Sequence, residues 1–291
     1  MTSSSLQRAS RLSRLVWAVS LGGLAIALPA YAGTCSLVPS DEATLADVEI
    51  SSALEEGKYA DLEKQLAAVQ KQGAANGSGD LMLLRALMTL GTMQPEENMA
   101  RMWVDEQPKS FLAQLNAGMY YAGKAQNARS TGPASSVSSS QAAAMRKFDQ
   151  TALGYLKAAM ALNPKSPLPH AILVTIAGRE GQADGKTAEQ WLQNANQVDP
   201  KNLSARLQAV NYLSPRWGGS FEQLDQMVAQ ASKALSPANA QYLQYNVVLA
   251  KASHFEVIEH DKAKAQALYK QARSMCDNST VAREGMVRTY K

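Results

Sequence analysis

Apolar residues return at helical spacing over most of the chain, in the i, i+4, i+7 rhythm that places them on one helix face. No stretch alternates apolar and polar residues long enough to build a sheet. Ser40 ahead of Asp41 and Glu42 reads as an N-cap with acids in the first turn, opening a helix that runs to Glu56. Gly57-Lys58 turns the chain into a second helix over Tyr59–Lys71, and Gly73–Gly79 (GAANGSG) reads as a flexible loop. Leu81–Leu90, Glu96–Glu106 and Ser110–Arg129 are the next predicted helices. Ser130–Ser140 (STGPASSVSSS) is low in complexity and reads as a mobile connection. It divides an N-terminal helical segment, 33–129, from a more regular array over 141–291.

That array repeats itself. Leu162-Asn163-Pro164, Val198-Asp199-Pro200 and Leu235-Ser236-Pro237 end three segments alike, with prolines 36 and 37 residues apart. Ala152, Leu156 and Ala159 precede the first proline as Ala188, Leu192 and Ala195 precede the second, and Ala265, Tyr269 and Ala272 repeat the small–large–small spacing. Small residues on one face let a neighbouring helix approach, and the large one fills the groove between two others. Proline then stops the helix. A period in the mid-thirties with two helices per unit predicts an all-α fold of tetratricopeptide-like antiparallel helix pairs, stacked as an α-solenoid.

The most apolar run stands apart from this pattern. Arg8, Arg11 and Arg14 lead into Leu15–Leu28, followed by Pro29 and the small-x-small site Ala30-Tyr31-Ala32. A basic start, a short apolar core and such a site describe a secretory leader over 1–32, and 14 residues fall short of a bilayer span. An uncleaved anchor is the alternative. Cys35 also invites a lipoprotein reading, but Ala32-Gly33-Thr34 lacks the residues that cleavage box wants. The leader predicts a periplasmic or secreted protein, with no transmembrane segment once it is removed.

Composition gains meaning from the leader. The 291 residues carry 29 basic and 25 acidic side chains, a formal charge of +4; the leader holds three of the basic ones and none of the acidic. The mature 259 residues therefore have 26 against 25, a net charge of +1, and a general affinity for nucleic acid loses its support. Two cysteines exclude a disulfide-dense scaffold and a Cys₄ zinc site. Both survive cleavage, in a compartment that permits disulfides. A Cys35–Cys276 bridge would close a loop of about 240 residues, for which chain entropy allows at most about 5 kcal/mol. The other reading is one flexible terminal thiol and one buried helical thiol.

The most distinctive stretch is Tyr212-Leu213-Ser214-Pro215-Arg216-Trp217-Gly218-Gly219-Ser220. Pro215 ends one helix, the pair Gly218-Gly219 turns the chain, and Ser220 with Gln223 forms a capping box for the next helix. Arg216 could satisfy carbonyls at the preceding helix end while Trp217 plugs the joint between helices. The same two residues could instead stand exposed as a binding element. This PRWGGS run, the helix after it, the xNP and xDP repeat ends and Asn116–Arg129 (NAGMYYAGKAQNAR) resemble the bacterial domain-of-unknown-function family 4034, over roughly Leu81–Ala252. The resemblance implies tetratricopeptide-like helices and a bacterial origin; it implies no activity, cofactor or catalytic residue.

Other candidate chemistry is thin. His254 and His260 are six apart and fall on different faces of a helix, whereas Glu256 and His260 share one, and two ligands are not a metal site. No G-x-S-x-G, H-E-x-x-H or calcium-loop pattern occurs in the chain. Trp103, Tyr120 and Tyr121 sit at helical core positions. The residues thus predict no cofactor and a non-enzymatic exported repeat protein that binds a protein or peptide on its concave face. An envelope hydrolase with a site assembled by folding, or a helical spacer, are the rival readings.

Overall fold

The computed structural model describes residues 47–93, 97–130 and 134–290. Among them lie thirteen α-helices: α1 (Asp47–Glu55), α2 (Tyr59–Gln72), α3 (Gly79–Met93), α4 (Glu97–Glu106), α5 (Phe111–Arg129), α6 (Ser139–Leu162), α7 (Leu168–Glu180), α8 (Ala188–Val198), α9 (Ser204–Tyr212), α10 (Phe221–Ala231), α11 (Pro237–Val257), α12 (Lys262–Met275) and α13 (Thr280–Thr289). No sheet forms among the described residues; one isolated bridge joins Ala183 to Lys186. The fold is the all-α, tetratricopeptide-like stack that the repeat predicts.

Hydroxyl side chains mark where helices begin, because each satisfies a backbone N–H that the first turn leaves unpaired. Ser110 accepts from the Ala113 N–H, and Ser279 from that of Ala282. Ser138 with Gln141 and Thr187 with Gln190 form complete capping boxes. The Asn163-Pro164 and Asp199-Pro200 steps end α6 and α8 as predicted, with Asn163 and Asp199 as C-caps. The third step differs. Ser236 is the N-cap of α11 and Pro237 its first residue, where a missing N–H costs nothing.

Two further expectations change. Gly73–Gly79 is a tight turn around the 3₁₀ segment Ala74–Asn76 rather than a loose loop. A Cβ on Gly79 would stand 2.4 Å from the Gln70 carbonyl oxygen, so this turn brings backbone against backbone. In the Ser-rich stretch α6 already begins at Ser139, and α5 and α6 pack against each other across the connection. Ser40 lies outside the described residues.

Neighbouring helices pair, α5 with α6, α7 with α8 and α11 with α12, while α10 leans on α11. The odd-numbered helices also contact one another in succession from α3 to α13, forming an inner layer. The outer helices α6, α8, α10 and α12 bury one stripe each, such as Ala152, Leu156 and Ala159. The inner helices α5, α7, α9 and α11 bury residues around most of their circumference, which requires cover on the concave side as well. That cover comes from the start of the array. α3 packs on α9, Asn239 Nδ2 donates to the Gly77 carbonyl at 3.2 Å, and Arg85 Nη2 donates to the Tyr242 hydroxyl at 3.2 Å. One apolar core runs from Ile50 to Ala282, with a small satellite of Ala252, Ala265 and Tyr269. The solenoid curls until its first hairpin touches its fifth inner helix, and the open concave face expected from the sequence is filled here.

Candidate binding site at the carboxyl ends of the inner helices

Four inner helices end close together, and the distinctive Tyr212–Ser220 stretch lies among them. Tyr212 closes α9 and is buried against α7, its ring lying where a Cβ on Gly178 would stand only 2.2 Å away. Pro215-Arg216-Trp217 forms a single 3₁₀ turn. Gly218 then takes φ +89°, a left-handed conformation that glycine adopts without strain. Gly219 serves a different purpose: a Cβ there would lie 2.0 Å from the Leu213 carbonyl oxygen. Ser220 caps α10 by accepting from the Gln223 N–H at 3.1 Å, which is the serine half of the predicted box.

Trp217 is half-buried. Its ring lies 5.1 Å from that of Tyr212, and the buried Arg129 guanidinium at the end of α5 sits 5.1 Å over it. A cation over an indole face is attracted by the ring quadrupole. Below this pair, Arg179 of α7 donates from Nε to Asp149 Oδ2 at 2.9 Å, from Nη2 to Asp149 Oδ1, and from Nη2 to the Ala122 carbonyl at 3.0 Å. Both partners are almost sealed from water, Arg179 at 9% and Asp149 at 4% exposure. Burial alone would lower the Arg179 pKa, but the bonded carboxylate outweighs it and holds the guanidinium charged. Burial pushes the neighbouring Tyr212 hydroxyl and Glu180 carboxyl up, the latter helped by the Asp149 charge. Asp149 and Glu180 are the carboxylate pair that folding brings together, and Arg179 occupies the first of them fully.

On the α11 side of the same loop lies a shallow pocket, lined by Val210, Asn211, Ser214, Arg216, Ala250, His254 and Ile258. His254 Nε2 lies 3.3 Å from Glu259 Oε1, its ring meets Phe221 edge-on at 5.1 Å, and its Nδ1 is buried without a hydrogen-bond partner. Beside the pocket Val257 and Ile258 stand 48% and 45% exposed. The half-buried Arg216 therefore flanks an apolar step on an accessible rim.

The structure gathers Tyr212, Pro215, Arg216, Trp217, Gly218 and Gly219 into one loop, brings His254 beside it, and adds Arg129, Asp149 and Arg179, which the sequence did not point to. A charge at the end of the apolar run LPHAILVTIAGRE was the available signal for Arg179. Cys276 is the buried C-cap of α12, and Cys35 lies outside the described residues, as does the leader. His260 is not on a helix: α11 ends at Val257 and His260 turns the chain with φ +55°. Glu256 faces Arg288 and the Tyr269 hydroxyl instead, at 2.7 and 2.6 Å. Trp103 is buried and stacked 6.0 Å from Tyr59, and Tyr120 and Tyr121 are buried in α5. Among the described residues no three His, Cys, Asp or Glu side chains gather as a metal site, and no helix is long and apolar enough to cross a membrane.

A family model described as "Domain of unknown function (DUF4034)" matches residues 46–184 and 162–246. No curated protein matches the chain. Among solved structures, a human IFIT1 dimer with m7Gppp-AAAA aligns at 12% identity with a TM-score of 0.41, over 86% of this chain and 56% of that one. The chain thus spans little more than half of that protein's length.

Proposed function

Because the chain belongs to the DUF4034 family, whose description carries no activity, the reading rests on its own surface, and we propose that it is an exported, non-enzymatic scaffold. It binds a protein or peptide partner in the cell envelope through the face where the inner helices end. The observation that carries this is the accessible rim of Arg216, Val257 and Ile258 around the small pocket. Arginine beside exposed aliphatic side chains is the composition of an interface anchor. The concave interior, the usual recognition face of a solenoid, is occupied by α3, which moves recognition outward. A chemical role for the Asp149–Glu180 pair has little support, since Arg179 engages Asp149 and both are withdrawn from solvent.

The test compares the mature protein with Arg216→Ala and with Val257→Ser/Ile258→Ser in capture from envelope extract, after circular dichroism has verified folding. A partner held by wild type and lost from both folded variants is the expected result. Equal capture by all three would remove this face from the proposal. Export has its own check: N-terminal sequencing of the secreted chain should begin at Gly33, and a retained Arg8–Arg14 segment would overturn it.

A further inference from the structure

Charge is spread unevenly over the mature chain. Residues 262–290 hold six basic side chains against Asp277 and Glu284, a net charge of +4, although the mature chain as a whole carries +1. The rest of it is therefore net acidic, and the last hairpin, α12 with α13, is its basic end. The buried stripes Ala265-Tyr269-Ala272 and Ala282-Gly285-Thr289 fix which way the cations point. On one flank of α12, Lys264 lies over Phe255 of α11. Lys262, Lys270 and Arg273 fall on the opposite flank, beside α13, whose Gly285 packs on Tyr269. On α13, Arg288 turns toward α11 to bond Glu256, and Glu284 shares its side. Arg283, Val287 and Tyr290, at i, i+4 and i+7, form the stripe that faces away from α11.

The short 276–279 turn makes the two helices antiparallel, so Arg273 is level with Arg283 while Lys262 approaches the level of Tyr290. The two stripes thus join into one surface about 16 Å long. Lys262, Lys270, Arg273 and Arg283 are exposed and form no ion pair among the described residues. Val287 and Tyr290, 71% and 82% exposed, are the two most exposed large apolar side chains among those residues. Two such side chains offer far less than the roughly 800 Å² per partner of a stable protein interface. Flanked by cations, an aliphatic side chain and a tyrosine instead suit a lipid headgroup layer, where charge attracts and the apolar groups enter the interface. We infer that the outer surface of the α12–α13 hairpin docks on anionic lipid, with Val287 and Tyr290 as its anchors. The Arg216 rim is not part of this surface, so docking leaves the proposed partner face open.

The mature protein provides the test, by co-sedimentation with vesicles of equal parts phosphatidylglycerol and phosphatidylcholine and with vesicles of phosphatidylcholine alone. Binding to the first, little to the second and release by high salt are expected. Lys270→Glu/Arg273→Glu should weaken binding at least about tenfold, at about fivefold per cation removed. Val287→Ser/Tyr290→Ser should weaken it several-fold; all four positions are exposed, and circular dichroism verifies that both variants fold. Lys147→Glu/Lys165→Glu makes the same charge change at exposed positions of another region and should bind as wild type, as should Arg216→Ala. No binding to the anionic vesicles, or equal losses from the Lys147/Lys165 and Lys270/Arg273 variants, would overturn the docking surface. Binding unchanged in Val287→Ser/Tyr290→Ser and matched by poly-glutamate would overturn the lipid reading and assign the surface to an acidic polypeptide.

Discussion

Arg179 donates to both oxygens of Asp149 and to the Ala122 carbonyl, so α5, α6 and α7 share one guanidinium in a region nearly closed to water. Removing one member of such a pair leaves a buried charge without compensation, which costs about 3–5 kcal/mol. Arg179→Ala should therefore lose stability on that scale in urea denaturation, and Asp149→Leu/Arg179→Met should recover much of it. A single variant as stable as wild type would show that water reaches the site. The sequence made the Tyr212–Gly219 loop legible because proline and paired glycines act locally. It left Arg129, Asp149 and Arg179 unmarked because burial of a charge is decided by helices that come from elsewhere in the chain. Of the two neighbours, Trp217 packs half-buried beside Tyr212 and the Arg129 guanidinium, while Arg216 lines the adjoining pocket.

At the level of the helix, the recurrent small residues set how closely the array can stack. Leu156 lies against Gly118, Tyr212 against Gly178 and Tyr269 against Gly285, in each case with less room than a methyl group needs. These contacts differ in how well they could yield. A Cβ on Gly118 would meet the movable tip of Leu156, whereas one on Gly178 would stand 2.6 Å from Tyr212 Cβ, close to the backbone. Gly178→Ala should thus cost about 2 kcal/mol or more and Gly118→Ala clearly less, as read from paired chemical melts. Equal losses would mean that α9 shifts as freely as a side chain. Helix pairs and their faces were legible because the 36-residue spacing records them directly. The role of Pro237 was not, since a proline that stops one helix and a proline that starts the next look alike without the cap that precedes them.

Across the whole molecule, inner helices end in a row of cations: Arg129, Arg179, Arg216 and Arg288 stand near the ends of α5, α7, α9 and α13. Helices lying side by side in one direction bring their partially negative carbonyl ends together, and a positive side chain at each end offsets that crowding. The repeat foretold the stacking but not how far it would curl, because curvature accumulates from small rotations at every interface. The bond from Asn239 to Gly77 shows that the rotations sum to closure. An open array can gain or lose a unit, as a stack of plates can. A closed one has a fixed count, like the staves of a cask. Duplicating 164–199 inside this chain should therefore lower its melting temperature, although the same insertion lengthens and steadies an open solenoid. The number of its repeats is thus as much a part of the fold as any residue in its core.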